Sequence, residues 1–298
     1  MSNKEKRLSI FRYGSKAIAK YLNGDSSLYY CPICSLGYPE SSAITGDSLT
    51  IEHIPPESAG GKPILLTCRN CNSLAGHTVD VSVSSKNKFA EFENIMFGED
   101  KGTIPFATLS LGDLQIATSI HKENSLDIRP LEKANSPTII DKYKKHLMNH
   151  SHDLQFKLSI SHKYDSRLFK LSYLKSAFLL LFAWLGYRYA FDTRLNGVRQ
   201  QLQKPKSDIL GTRFWIEGNG NVPLNKIMFL SSPLPMFLVS FNNFCIVLPS
   251  LESKNDIYSS LSQYWERGQR ITFETDIWTN WPSKLQMKLD YSWIITSF

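Results

Sequence analysis

The chain has 298 residues, 42% of them apolar and 20% charged, so it can bury a core and is long enough for a small module joined to a larger domain or for one elaborated domain. This composition excludes a mainly disordered, collagen-like or coiled-coil chain, and the net charge of +7 is compatible with a polyanionic partner without proving one. Five cysteines, four of them paired as Cys31-Pro-Ile-Cys34 and Cys68-Arg-Asn-Cys71, argue against a disulfide framework and for a tetrathiolate metal site in a reducing compartment.

In chain order, residues 1–26 predict a basic amphipathic helix. Ile10, Phe11, Ala17, Ile18, Tyr21 and Leu22 recur at helical spacing between lysines and arginines, and Asn23-Gly24-Asp25 supplies a stop. The residues after Met1–Arg7 do not form the apolar core of a signal peptide. Residues 27–95 hold the paired cysteines among dense turn signals, with short strands at Ser48–Ile51 and Ile64–Thr67 and a helix from Asn72 to Phe89. From about Lys101 the texture becomes β-rich. Ile104–Leu111 and Leu114–Ile120 flank Gly112-Asp113 as a hairpin, and Phe156–Ser161 alternates as a further strand.

Ser166–Gln203 reads as helix, ended by Pro205. Its most apolar run, bounded by Lys175 and Arg188, covers about twelve residues against the roughly 20 that a membrane span needs. The expectation is a buried helix in a soluble, cytoplasmic protein with no membrane partner. Arg213–Ile216, Ile227–Leu230, Met236–Ser240 and Cys245–Leu248 read as strands, the last two joined at Asn242-Asn243. The predicted fold class is therefore α+β: a zinc-knuckled ββα module at 27–95, then a larger mixed domain at 96–298 with a mostly antiparallel sheet and one long buried helix.

Two Cys-x-x-Cys pairs are a strong signature of tetrahedral zinc, because such closely spaced thiolates in a tight turn reach one ion without strain. Four thiolates close the coordination sphere, so Cys31, Cys34, Cys68 and Cys71 predict a structural Zn²⁺ and leave any chemistry to other residues. The gap between the pairs exceeds the roughly 15–20 residues of a simple zinc ribbon, and the extra length carries Glu52-His53, Pro55-Pro56 and Gly60-Gly61. An acid-His pair ending a strand, a proline, a Gly-Gly loop and Cys68-x-x-Cys71-Asn72 opening a helix resembles the HNH endonuclease family.

Neighbours on a strand face opposite sides, so Glu52 and His53 cannot share one job. The resemblance implies a ββα-metal nuclease that hydrolyses phosphodiester bonds in DNA. In it His53 is the general base on water, and Glu52 and Asn72 are ligands of a catalytic divalent ion; their hard oxygen atoms favour Mg²⁺ or Mn²⁺. The family's middle Asn falls on Pro63, and a further ligand one turn after Asn72 would fall on Gly76. His77 and Asp80 nearby read as solvated or capping residues. Lys62, Arg69, Lys86 and Lys88 are the expected nucleic-acid contacts, through phosphate.

The same resemblance suggests bacterial defence against phage or plasmids, with residues 96–298 serving regulation, targeting or oligomerisation through a regulatory protein partner or a homodimer. Two alternatives stand beside it. One is the effector subunit of a two-protein defence system, such as the partner of a short prokaryotic Argonaute; the other is a non-catalytic, zinc-dependent nucleic-acid-binding protein. Elsewhere His146 and His150 read as part of a basic solvated helix face, and Cys245 as an inert core thiol.

Overall fold

A computed structural model describes residues 2–22, 27–149, 155–160, 164–217, 223–253, 256–267 and 275–288. The order begins with helix α1 (Asn3–Tyr21), strands β1 (Leu28–Tyr30) and β2 (Gly37–Pro39), helix α2 (Glu40–Thr45), strands β3 (Leu49–Ile54) and β4 (Lys62–Cys68), and helix α3 (Arg69–Thr78). Next are helix α4 (Asp80–Phe97), strands β5 (Gly102–Leu111), β6 (Leu114–Lys122) and β7 (Leu126–Pro130), helix α5 (Pro137–Asn149) and strand β8 (Lys157–Ser159). Then come helices α6 (Ser166–Leu185), α7 (Tyr187–Ala190) and α8 (Asn196–Gln203), and strands β9 (Trp215–Glu217), β10 (Lys226–Leu230), β11 (Met236–Ser240) and β12 (Phe244–Pro249). Helix α9 (Ile257–Glu266) and strand β13 (Thr275–Asn280) complete the set.

The molecule is mixed α+β with antiparallel sheets, and it forms two compact units: Met1–Val83 with Asp165–Phe298, and Ser84–Tyr164. The first unit is discontinuous in sequence, whereas sequence pattern predicts one boundary near residue 95. The physical reason is a shared core. Cys31, Ile64, Leu65, Cys68 and Val79 of the cysteine-rich segment pack in one cluster with Leu171, Leu174 and Phe178 of α6 and with Phe229, Phe237 and Ile246 of a five-stranded sheet. That sheet has the order β13-β10-β11-β12-β9, all pairs antiparallel. Every residue of β12 is buried, as a strand covered on both faces requires, which is why Phe244–Pro249 shows no polar alternation.

Helix α6 is capped by Asp165, whose carboxylate accepts from the backbone of Arg167 and Leu168. It ends at Gly186, whose φ of +82° lies where side chains other than glycine's are strained. The predicted helix from Ser166 to Gln203 is thus broken into α6, α7 and α8. Among the described residues α6 is long and apolar enough to cross a membrane, but 83% of its apolar stretch is buried inside the protein. The predicted helix over 72–89 also divides. Helix α3 starts earlier, at Arg69, because the Cys68 thiol accepts from the backbone of Cys71 and caps it, and Val79 separates α3 from α4.

The second unit is a four-stranded antiparallel sheet of order β7-β6-β5-β8. Its β5–β6 hairpin turns at Gly112, φ +56°, with Leu111 facing Leu114, as the Gly-Asp signal predicts. Ile95 of α4 packs on Ile104, Ala107 and Ile120, and Ile139 and Tyr143 of α5 pack against Leu109, Leu111 and Ile116. His146 lies on α5; His150 falls outside the described residues, so their pairing is not described. Cys245 is buried in β12, and burial pushes its thiol up to about 11, the state of an inert core residue.

Candidate metal centre and the adjoining hairpin

The four paired cysteines converge. One Sγ from each of Cys31, Cys34, Cys68 and Cys71 lies within 4.8 Å of the others, with Cys34 and Cys68 at 3.6 Å. Tetrahedral zinc with Zn–S bonds of about 2.3 Å sets sulfur edges of about 3.8 Å, whereas a disulfide brings sulfurs to about 2.05 Å. The cluster therefore has the chemistry and the spacing to hold a metal ion such as Zn²⁺. The first knuckle is a turn in which Ser35, φ +62°, donates its backbone N–H to Cys31, and Cys31 donates to Leu36. Helix α8 braces it from outside: Arg199 donates to the Ser35 hydroxyl and Gln203 to the Ile33 carbonyl. The second knuckle is the capped start of α3. Crowding makes the thiols compete for protons. Hydrogen bonding from Cys31 holds Cys34 down to about 7 and drives Cys68 lower still, while the same contacts push Cys71 up.

Strands β3 and β4 form an antiparallel hairpin leading into α3, so the ββα order expected at 27–95 is present in local form. Register pairs Thr50 with Thr67 and Glu52 with Leu65; an irregularity then places His53 opposite Pro63 and Ile54 opposite Lys62. The loop between the strands needs both glycines, for different reasons. Gly60 has φ +74°, and a Cβ on Gly61 would stand 1.5 Å from the Pro55 carbonyl oxygen. Asn72 sits in the first turn of α3 rather than at its cap. Its side-chain N–H₂ donates to the Thr50 hydroxyl at 2.9 Å and to the Ile51 carbonyl at 3.4 Å, tying the helix to the strand. His53 is half-buried, and its imidazole has no hydrogen-bond or ion-pair partner among the described residues.

Glu52 faces the other way, into the core, where it is 3% exposed. One carboxylate oxygen accepts from the ammonium of Lys175 on α6 at 2.8 Å, the other from the hydroxyl of Thr67 at 2.9 Å. Lys175, itself 2% exposed, also donates to Asp80 at 2.6 Å, and the second Asp80 oxygen accepts from Ser172 at 2.6 Å. Burial alone pushes the Lys175 pKa down, but the facing carboxylates of Glu52 and Asp80 outweigh it and hold the pKa above the ordinary lysine value. Asp80 is thus part of a buried ionic cluster and not the solvated or capping residue expected of it.

Glu52, predicted to hold a catalytic Mg²⁺ or Mn²⁺, does not fit that role in this arrangement. Both Glu52 oxygens are engaged in a site without room for the waters that Mg²⁺ keeps. The two bonds of Asn72 to the strand are donated by its N–H₂, which leaves the amide oxygen, the atom a metal would use, uncommitted, and nothing lies within 4 Å of a Cβ built on Gly76. Of the expected phosphate contacts, Lys62 is exposed at the start of β4, and Lys86 and Lys88 are exposed on α4 in the second unit. Arg69 instead donates to the carbonyls of Gly46 and Asp47.

Lys175 is the site residue that sequence reasoning misses, since by pattern it is only the polar edge of an apolar run. The signal is a lysine at the centre of a helix, where the flanking residues Leu171, Leu174, Phe178 and Leu179 are all apolar and fully buried. Comparison with known proteins brings no match: no family model, curated protein or solved structure is similar to the chain.

Proposed function

We propose that the β3–β4 hairpin and α3 form a nuclease centre that hydrolyses phosphodiester bonds in DNA, with His53 as the base that activates water. The observation that supports this most is the setting of His53. Its imidazole stands half-buried at the end of β3, beside the loop closed by Gly60 and Gly61, and no described residue engages it. A general base must keep a nitrogen lone pair free for the proton it takes, and a structural core histidine normally would not. In the proposed step His53 removes a proton from water, the water oxygen attacks phosphorus, and the bond to the leaving oxygen breaks. Charge growing on the phosphate calls for cations on the same edge. Lys62, exposed at the start of β4, pairs with Ile54 and so alternates to the face away from His53; a cation beside His53 has to come from elsewhere.

Supercoiled plasmid incubated with Mg²⁺ or Mn²⁺, and separately with EDTA, tests the reading with wild type beside His53→Ala. Wild type is expected to nick at least about 10²-fold faster, the contribution typical of a positioned general base. Equal rates in every condition would sink it. The enclosure of Glu52 by Lys175 favours a second reading, a zinc-dependent DNA-binding protein without catalysis. In that case DNA binding is salt-sensitive and survives His53→Ala, while nicking is absent.

A further inference from the structure

We propose that Lys175 is the resident cation of the Glu52 site: its ammonium holds the carboxylate that the HNH resemblance assigns to a divalent ion, and it keeps that ion out. The assignment of a cation to position 52 comes from the sequence resemblance, and the proposed role of His53 does not depend on it. Helix α6 is otherwise an apolar core element, and a lysine at its centre is costly to bury unless its charge is met. Here it is met twice, by Glu52 at 2.8 Å and by Asp80 at 2.6 Å.

The four carboxylate oxygens of this cluster accept, between them, two bonds from Lys175 and one each from Thr67 and Ser172. A dication would have to displace these donors and then remain within a few ångströms of an ammonium, where two like charges in a poorly hydrated interior repel strongly. An ammonium also does part of what a metal does for a carboxylate pair, since it offsets their charge and fixes their spacing. It cannot coordinate a phosphate oxygen or lower the pKa of a bound water. The fixed cation therefore links α6 to the strand that carries His53, while any water activation is left to His53 itself.

Metal uptake, not cleavage, tests the proposal, using zinc-loaded full-length chain and Mn²⁺ alone as the probe, with free Mn²⁺ followed by electron paramagnetic resonance. Wild type and Glu52→Gln are expected to take up Mn²⁺ equally, and Lys175→Met to gain one Mn²⁺ at least tenfold more tightly than wild type. That gain should vanish in Lys175→Met/Glu52→Gln. A Mn²⁺ that wild type binds and Glu52→Gln loses overturns the proposal, as does a folded Lys175→Met chain that gains none. Should Lys175→Met not fold, the comparison of wild type with Glu52→Gln decides alone. A failed nicking assay with this Mn²⁺ pattern intact would discard the hydrolytic reading and leave the role of Lys175 standing.

Discussion

Lys175 is a single side chain whose charge state couples a core helix to the candidate hairpin, and its titration makes that coupling measurable. Its folded-state pKa is raised, because Glu52 and Asp80 outweigh the opposing effect of burial. A lysine whose folded value exceeds the unfolded value of about 10.4 stabilises the fold fully below that pH, and the stabilisation is lost as pH rises through the folded value. Lys175→Met alone is expected to cost about 3–5 kcal/mol near neutrality, since it strands buried carboxylates. Lys175→Met/Glu52→Gln should recover much of this. The Tm difference between wild type and the double variant is expected to be constant from about pH 7 to 9.5 and to shift against wild type above about 10.4. A difference unchanged up to about pH 11.5 would show that the ammonium does not titrate as an ion-paired buried group.

At the scale of elements, the Gly60-Gly61 loop shows how the hairpin is held, and one methyl group tests it. A Cβ on Gly61 would collide with the Pro55 carbonyl at 1.5 Å, and the neighbouring atoms are backbone that cannot swing aside. Gly61→Ala is therefore expected to destabilise the first unit at the upper end of the usual range of about 0.5–3 kcal/mol, whereas Gly76→Ala, where a Cβ meets nothing, should be close to neutral or favourable to the helix. Chemical denaturation of both variants checks this; equal midpoints would remove the steric account of the loop. Hairpin strands and glycines are legible in the sequence because apolar runs between turn residues are local signals. So are the β5–β6 turn and β10 to β12. The division of the helix at Val79 is not, since the Cys68 cap shifts the start of α3 and tertiary packing sets where it stops. The Glu52–Lys175 pair is not legible either: its partners stand 123 residues apart, and no local pattern reports a pairing of that separation.

For the whole molecule, the decisive fact is that the cysteines pack into the large shared core, while the small cluster confined to the N-terminal segment, Phe11, Tyr29, Ala43, Leu49 and Leu66, contains none of them. Cys31, Cys68, Ile64 and Leu65 share their hydrophobic cluster with α6 and the five-stranded sheet, and Glu52 finds its counter-charge on α6. A zinc module that folded autonomously, as a sequence boundary at residue 95 implies, would bury its cysteines in a core of its own and keep its structure when cut away. The contact pattern argues otherwise. Separating residues 1–95 from the rest exposes one side of that core and strands Glu52 and Asp80 without Lys175. Zinc-loaded fragment 1–95 is accordingly expected to bind metal through its thiols, yet to lack a cooperative thermal transition and dispersed amide resonances, while the full chain loaded with one Zn²⁺ melts cooperatively. A metal ion held by the four thiols would then staple two knuckles that are packed against the later part of the chain. A fragment that melts as a single sharp transition would show instead that the cysteine-rich segment is an independent domain and that the shared cluster is an interface added to it.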